Sequence, residues 1–431
     1  MSDVVASLTW LEECFEKNIN LAEPNWLREF RAHELKKFVQ RGFPTRREEL
    51  WKYTDTSHLA KKNYCGPTLI DGSPDIDKLS SPSQIKFVFI NGIFSETLSD
   101  IAKLPKEVTL LSLRQVINDH VDLTKPYLTR EFDEKKFPFA SLNLVLMTDG
   151  VFLKIEKNYE MTTPIHCLFI NTKQQNFVSC PRNIILAGDN SSVTLIEEYV
   201  GDQAENYFVS ALTMIEVNNG AYVEYFKIQD EAASATHIAN VFVEQQQDSK
   251  VKAHFFSRGG ALEREDLCVR QNAKGAEAQL NGFYSLHSDE QHVDHHVHVD
   301  HLVPHGISSM IYKGILDKKS HAVFNGKVFV HQDAQQINAH QENHNLLLSN
   351  SAEVNTKPEL EIYADDVKCT HGATIGQLDN ESLFYLRSRG IEESEARKIL
   401  VHAFSDQIFN TITNREIRDY VQQRVSSHDE L

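Results

Sequence analysis

The chain lacks most of the signals that place a protein quickly. Its six cysteines, Cys14, Cys65, Cys167, Cys180, Cys268 and Cys369, include no CxxC pair. Neither a disulfide framework nor a zinc ribbon is predicted, and scattered thiols fit a reducing compartment. There is no GxxxxGK[ST] and no GxGxxG, so no nucleotide is expected on this chain. Basic side chains are few beside acidic ones, 44 against 61, for a net charge of −17. Nucleic-acid backbones are held by clustered Lys and Arg, so no nucleic-acid partner is expected. No segment approaches the roughly 18 apolar residues of a membrane span. The opening stretch MSDVVASLTWLEECFEKN carries acids and no long apolar run, unlike a signal peptide. The expectation is a cytoplasmic protein with no membrane partner.

What remains is a globular balance, 41% hydrophobic and 24% charged over 431 residues, long enough for a large core and two or three domains. Residues 1–65 read as an N-terminal helical region. Trp26, Leu27, Phe30, Leu35 and Phe38 make a helical stripe, and Gly42 and Pro44 mark its end. Residues 66–139 read as a mixed α/β linker region: a Pro/Ser/Gly/Asp-rich loop over 66–84, then a hairpin in IKFVFINGIFSETLS (85–99) turning at Asn91-Gly92. From about 140 to 375 short alternating runs take over, such as SVTLIEEYV, AYVEYFKI and KVKAHFFS. The turns GDNS, NNG, QQDS and NAKG precede four of these runs, placing Ser192, Ala221, Lys250 and Ala276 at 29-, 29- and 26-residue intervals. Strand-rich coils at near-constant spacing predict a β-solenoid, most simply a β-helix; a β-sandwich is the competing reading. Residues 376–431 read as a C-terminal helical region. Asp379 caps a helix ending near Gly390. A second helix carries Ala396, Ile399, Leu400, Ala403, Phe404 and Ile408 on one apolar face, and a third runs from about 414 to 425.

The tract HVDHHVHVDH, residues 292–301, holds five histidines and two aspartates. On a strand it splits into an odd face, Val293, His295, Val297, Val299 and His301, and an even face, His292, Asp294, His296, His298 and Asp300. The valines direct the odd face to the core and leave a His/Asp ladder outside. Imidazole and carboxylate suit several transition metals. Alternate strand residues nevertheless stand more than about 6 Å apart, so five cannot share one ion. A polar outer or interface strand and a metal-binding strand both fit the tract.

A further set of segments carries a resemblance. EIYADDVKCTHGATIGQLDNESLFYLRSRGI (361–391) resembles the C-terminal signature of the SufB/SufD family of iron–sulfur cluster assembly proteins. FPTRREELWKYTD (43–55), HLVPHGISSMIYKGILDKKSHAVFNGKVFV (301–330) and LLLSNSAEVNTKPELEI (346–362) resemble its N-terminal motif and core. Length and the RREELWKYTD segment fit the SufD branch of the family, and a SufB-type scaffold is the alternative.

The resemblance implies a mainly β fold, a right-handed parallel β-helix core between N-terminal and C-terminal α-helical regions. It implies a non-enzymatic subunit that pairs with a SufB-like subunit and docks a SufC-like ATPase through the C-terminal helices. Sulfur would come indirectly from a cysteine desulfurase acting with SufE or SufU. A transient iron–sulfur cluster or iron would be shared with SufB, and a reduced flavin is associated with complexes of the family. Separately from the resemblance, exposed β-helix edges leave room for a homodimer when SufB is absent, and the sequence does not decide between homodimer and heterodimer.

In DDVKCTHG, Cys369 and His371 are two apart and share one face of an extended segment. A thiolate and an imidazole are competent iron ligands, yet a closed site needs about four. The resemblance assigns His371 to the SufB–SufD interface, with Cys369 second; a small buried thiol is the alternative for Cys369. Gly372 and Gly376 are read as permitting the turn out of the solenoid. Leu383, Phe384, Tyr385, Arg387 and Arg389, around Leu386, lie where the resemblance puts ATPase docking. Arg387 and Arg389, two positions apart, cannot share one helical face. The rival classes are a stand-alone His/Asp metalloenzyme and a secreted carbohydrate-active β-helix; the latter is disfavoured by the N-terminus and by only three tryptophans.

Overall fold

The computed structural model describes residues 8–18, 23–68, 81–172, 174–201 and 206–425. Between N- and C-terminal helices lies a β-solenoid of about seven turns. Successive strands alternate between two parallel sheets, so each coil contributes one strand to each. In one sheet Ser192, Tyr222, Lys250 and Glu277 are in register, at intervals of 30, 28 and 27 residues. The spacing read from the turns was thus right to within a residue or two. The true register falls at Tyr222 and Glu277 rather than Ala221 and Ala276.

The corners explain the period. Asn190, Gly220, Asp248, Gly275, His305 and Gln336 all have left-handed backbone, with φ from 54° to 76°, and they recur coil after coil. Their amides bond to the next coil: Asn190 N to Asn219 O at 2.8 Å, Gly220 N to Gln247 O at 2.8 Å, and Asp248 N to Lys274 O at 3.0 Å. At Gly220 a Cβ would also meet Asn190 Oδ1 at 2.4 Å, so that side chain would have to shift to admit any other residue.

The sheets begin earlier than the change of texture near 140. The hairpin strands Ile85–Ile90 and Ile93–Asp100 pair antiparallel, and the first pairs parallel with Ile165–Asn171. Asn91 and Gly92 both have positive φ, as a tight hairpin turn demands. The helix Pro138–Leu146 was not anticipated. Its nine residues PFASLNLVL are all buried, so it has no polar face and no visible helical period.

The interior is mainly aliphatic and aromatic, with a polar file through its middle coils. Lys227 donates to Glu265 at 2.5 Å and lies 3.1 Å from His237, which contacts Glu231 at 2.7 Å. Glu197 accepts from Tyr199 at 2.7 Å, Thr213 at 2.8 Å and Tyr225 at 2.9 Å. His295 contacts Glu263 and Ser257, both at 3.0 Å. Ions inside a core are tolerable only with partners of this quality.

At the C-terminal end Asp379 caps the helix Asn380–Ser388 through the amides of Glu381 and Ser382. Gly390 follows with φ 88°. The helices Glu393–Phe409 and Arg415–Val425 complete the chain's described part. The long helix is rotated from the expected face. Ala396, Val401, Ser405, Ile408 and Phe409 are buried, whereas Ile399 and Ala403 are exposed. The apolar pattern serves two faces: one packs in a cluster with Phe256, Phe283 and Ile315 of the solenoid, and the other is left open. No helix among the described residues is long and apolar enough to cross a membrane.

Candidate functional site

The tract HVDHHVHVDH forms one strand, His292–His301. Its odd face is core as predicted: Val293, His295, Val297, Val299 and His301 are all buried. The even face is not an open ladder. Asp294 is 1% exposed, because the segment carrying RREELWKYTD straps across it. Arg264, fully buried, donates to Asp294 at 2.6 Å, to both Asp266 oxygens at 2.9 and 3.0 Å, and to the Leu50 carbonyl at 2.8 Å. Its guanidinium lies 3.8 Å from the Trp51 ring centroid. Thr54 donates to Asp294 and lies 2.9 Å from His292 Nε2.

Burial alone would raise the Asp294 carboxyl, but Arg264 and then His296 outweigh it and hold it well below the usual carboxylate range. His292 is pushed down to about 4 by burial and shares a 2.9 Å Nδ1···Nδ1 contact with His321. Further along, Asp300 is engaged by His331 at 3.1 Å and lies 3.9 Å from His298. The carboxylates that would anchor a metal are already paired. Among the described residues no three His, Cys, Asp or Glu side chains gather as a metal-binding group.

The DDVKCTHG segment lies on the last strand of its sheet, Val367–Gly376, which is in register with Ile337–Leu347. Cys369 sits beside Ala339 and His371 beside Gln341. Ala339 and Gln341 are buried interior positions, so Cys369 and His371 occupy interior register with no further described coil over them. Cys369 is half-buried and packs against Val328, Val330, Ile337 and Ala339; burial pushes its thiol up from its ordinary value. His371 is exposed. The opposite sheet ends in the same way at Glu353–Ile362, paired with His321–Val330. Ile362 and Ile375, at 37% and 48% exposure and in interior register, widen this uncovered end. Gly372 and Gly376 do not make the exit turn. Both belong to the strand, neither has positive φ, and a Cβ at either would meet nothing within 4 Å.

The five expected docking residues separate. Phe384 and Tyr385 are 74% and 57% exposed and line an open groove with Leu386, Ile399 and Leu400. Leu383 is 8% exposed and belongs to the packed side of the helix, which corrects its placement on the docking face. Arg387 pairs with Glu393 at 3.1 Å. Arg389, past the helix end, stacks 5.2 Å from the Tyr385 ring centroid. The two arginines thus have different partners, Glu393 for Arg387 and Tyr385 for Arg389.

Two family profiles match the chain. The one described as the SufBD protein N-terminal region matches residues 7–167. The one described as SUF system FeS cluster assembly, SufBD core domain, matches residues 169–404. An iron–sulfur cluster assembly SufBD family protein of Synechocystis sp. is 33% identical over 395 residues, 89% of this chain and 87% of the relative. The chloroplastic protein ABCI7 of Arabidopsis thaliana is 30% identical over 411 residues, 93% of this chain and 85% of the relative. The iron–sulfur cluster assembly protein SufD of Escherichia coli is 27% identical over 397 residues, 91% and 90% of the two chains.

Proposed function

The chain belongs to the SufB/SufD family of SUF-system iron–sulfur cluster assembly proteins, and we propose that it is the SufD-type, non-ATPase subunit of a complex with a SufB-like chain and a SufC-like ATPase. The observation that carries this reading is the uncovered last coil. His371 stands there in interior register beside half-buried Cys369, with exposed Ile375 in the same register further along the strand. A solenoid end that leaves interior positions open is suited to a second chain.

One imidazole and one thiol cannot enclose an iron–sulfur cargo that needs about four ligands, so the SufB-like subunit supplies the remainder. His371 leads, because a neutral imidazole offers a lone pair without losing a proton. Cys369, raised by burial, must first give up its S–H proton, so it is the secondary ligand. The groove of Phe384, Tyr385, Ile399 and Leu400 is the ATPase-docking face, which leaves nucleotide chemistry to the partner. Sulfur reaches the complex from a cysteine desulfurase with SufE or SufU, and reduced flavin belongs to the assembled complex. Without a SufB-like partner the same end pairs two copies of this chain.

Co-expression with the cognate SufB-like and SufC-like chains tests the proposal. His371→Ala is expected to assemble normally and lose cluster formation at least about 10-fold. Wild-type rates in His371→Ala would remove the site, and failure of the wild-type chain to form a complex would remove the functional reading.

A further inference from the structure

The side chain one coil behind His371 is Gln341, its in-register neighbour on the same sheet face. Gln341 is fully buried. Its Nε2 donates across the lumen to the Gly326 carbonyl at 3.0 Å. Residue 326 has room for this only as glycine, since a Cβ there would meet Gln341 Nε2 at 2.1 Å and Cδ at 2.8 Å. The amide is therefore fixed with its nitrogen on Gly326 and its Oε1 at the other end. That oxygen is buried and has no partner. A buried acceptor left open costs about 1–3 kcal/mol, so a donor is called for.

The surroundings narrow the choice. The in-register neighbour on the preceding coil is Met310, which has no side-chain donor. In the opposite sheet the residue beyond Gly326 is Pro358, which has no N–H; Thr356, two residues earlier on that strand and about 6–7 Å along it, keeps a buried hydroxyl without a partner and is the rival donor. On the remaining side is His371, whose ring carries an N–H and is exposed. Neighbouring strands lie about 4.8 Å apart, within reach of a histidine adjusting its χ angles.

We propose that Gln341 is the positioning residue for His371. Its Oε1 accepts the N–H of one imidazole nitrogen, which fixes a single tautomer and presents the other nitrogen as a bare lone pair out of the solenoid end. Metal-ligating histidines are usually oriented through their second nitrogen in this manner. A neutral amide suits the task, because it anchors the N–H without adding a buried charge. The purpose of the arrangement rests on the role proposed above for His371; the hydrogen bond itself does not.

The test is 15N NMR of the full chain with labelled histidine. His371 in the wild type is expected as one dominant tautomer, and Gln341→Met, similar in length but without the acceptor, is expected to give a mixture. The wild-type spectrum needs no variant to fold: mixed tautomers there overturn the proposal, as does an unchanged tautomer in a folded Gln341→Met. In the assembled complex, Gln341→Met should lower cluster yield by about 10–100-fold while subunit association stays intact. If His371→Ala left cluster formation untouched, the ligand role would fall, and a single tautomer lost in Gln341→Met would still establish the positioning contact.

Discussion

Replacing Arg264 with methionine should release the strap that joins the N-terminal region to the solenoid. Arg264 is fully buried and bridges Asp266 and Asp294, the latter 1% exposed. It also donates to Leu50 O and stacks on Trp51. Methionine keeps much of the volume but leaves two buried carboxylates facing each other without a cation. Removing one partner of a buried pair costs about 3–5 kcal/mol, and the lost ring contact adds to that. The pH dependence gives the reasoning a second edge. In the wild type the Asp294 pKa is depressed, so its contribution to stability is present above the unfolded value near 3.9 and is lost only as pH falls through the folded value. Without Arg264 burial dominates and the carboxyl rises. The variant's deficit should then be largest at pH 8 and shrink towards pH 5, as protonation relieves the unpaired charge. Urea unfolding at the two pH values measures the gap, and hydrogen exchange over 49–56 reports the strap. A deficit below about 1 kcal/mol at pH 8, or one that does not narrow in acid, refutes this account.

Other perturbations separate packing from function. Phe384→Ala and Tyr385→Ala should leave thermal unfolding unchanged and weaken ATPase binding by calorimetry about 30-fold or more each, the effect of truncating an aromatic anchor. Leu383→Ala on the same helix should instead destabilise the chain by about 2–5 kcal/mol in a melt. His301, held down to about 4 by burial, stays neutral when folded but charges near 6.5 when unfolded. Its contribution to stability is therefore lost as pH falls from about 6.5 to 4, by at most about 3 kcal/mol, and His301→Gln should flatten that limb of a pH–stability profile. Gly326→Ala should cost about 1–3 kcal/mol by overpacking against Gln341. Gly372→Ala, opening into free space, should be neutral in the isolated chain and read out only in partner affinity.

Local rules made much of the solenoid legible. The turns before each coil recur because one corner residue per coil must adopt left-handed backbone, and Asn, Asp and Gly do so at least cost. The hairpin at Asn91-Gly92 and the cap at Asp379 follow from similarly short-range physics. The long-range contacts were not legible. Asp294 looked like a solvent-facing ladder residue because the residues that bury it, Leu50, Trp51 and Thr54, lie some 240 positions earlier. The helix Pro138–Leu146 hid because it is apolar all round, and the long C-terminal helix misled because its two apolar faces blur into one stripe.

Position in the solenoid, more than residue type, separates the histidines. His295 and His237 lie in interior register with later coils stacked over them, and Glu263, Ser257, Glu231 and Lys227, all from earlier in the chain, meet their ring nitrogens. An imidazole so enclosed is a structural polar group, and freeing it would leave buried partners unpaired. His371 lies in the same kind of register, but no described coil follows. Its ring is exposed and its interior-side neighbour, Gln341, has an acceptor to spare. A histidine-rich strand therefore draws attention by density while its interior members, His295 and His301, are enclosed by the fold. The single histidine of the last coil stays available because the repeat ends there.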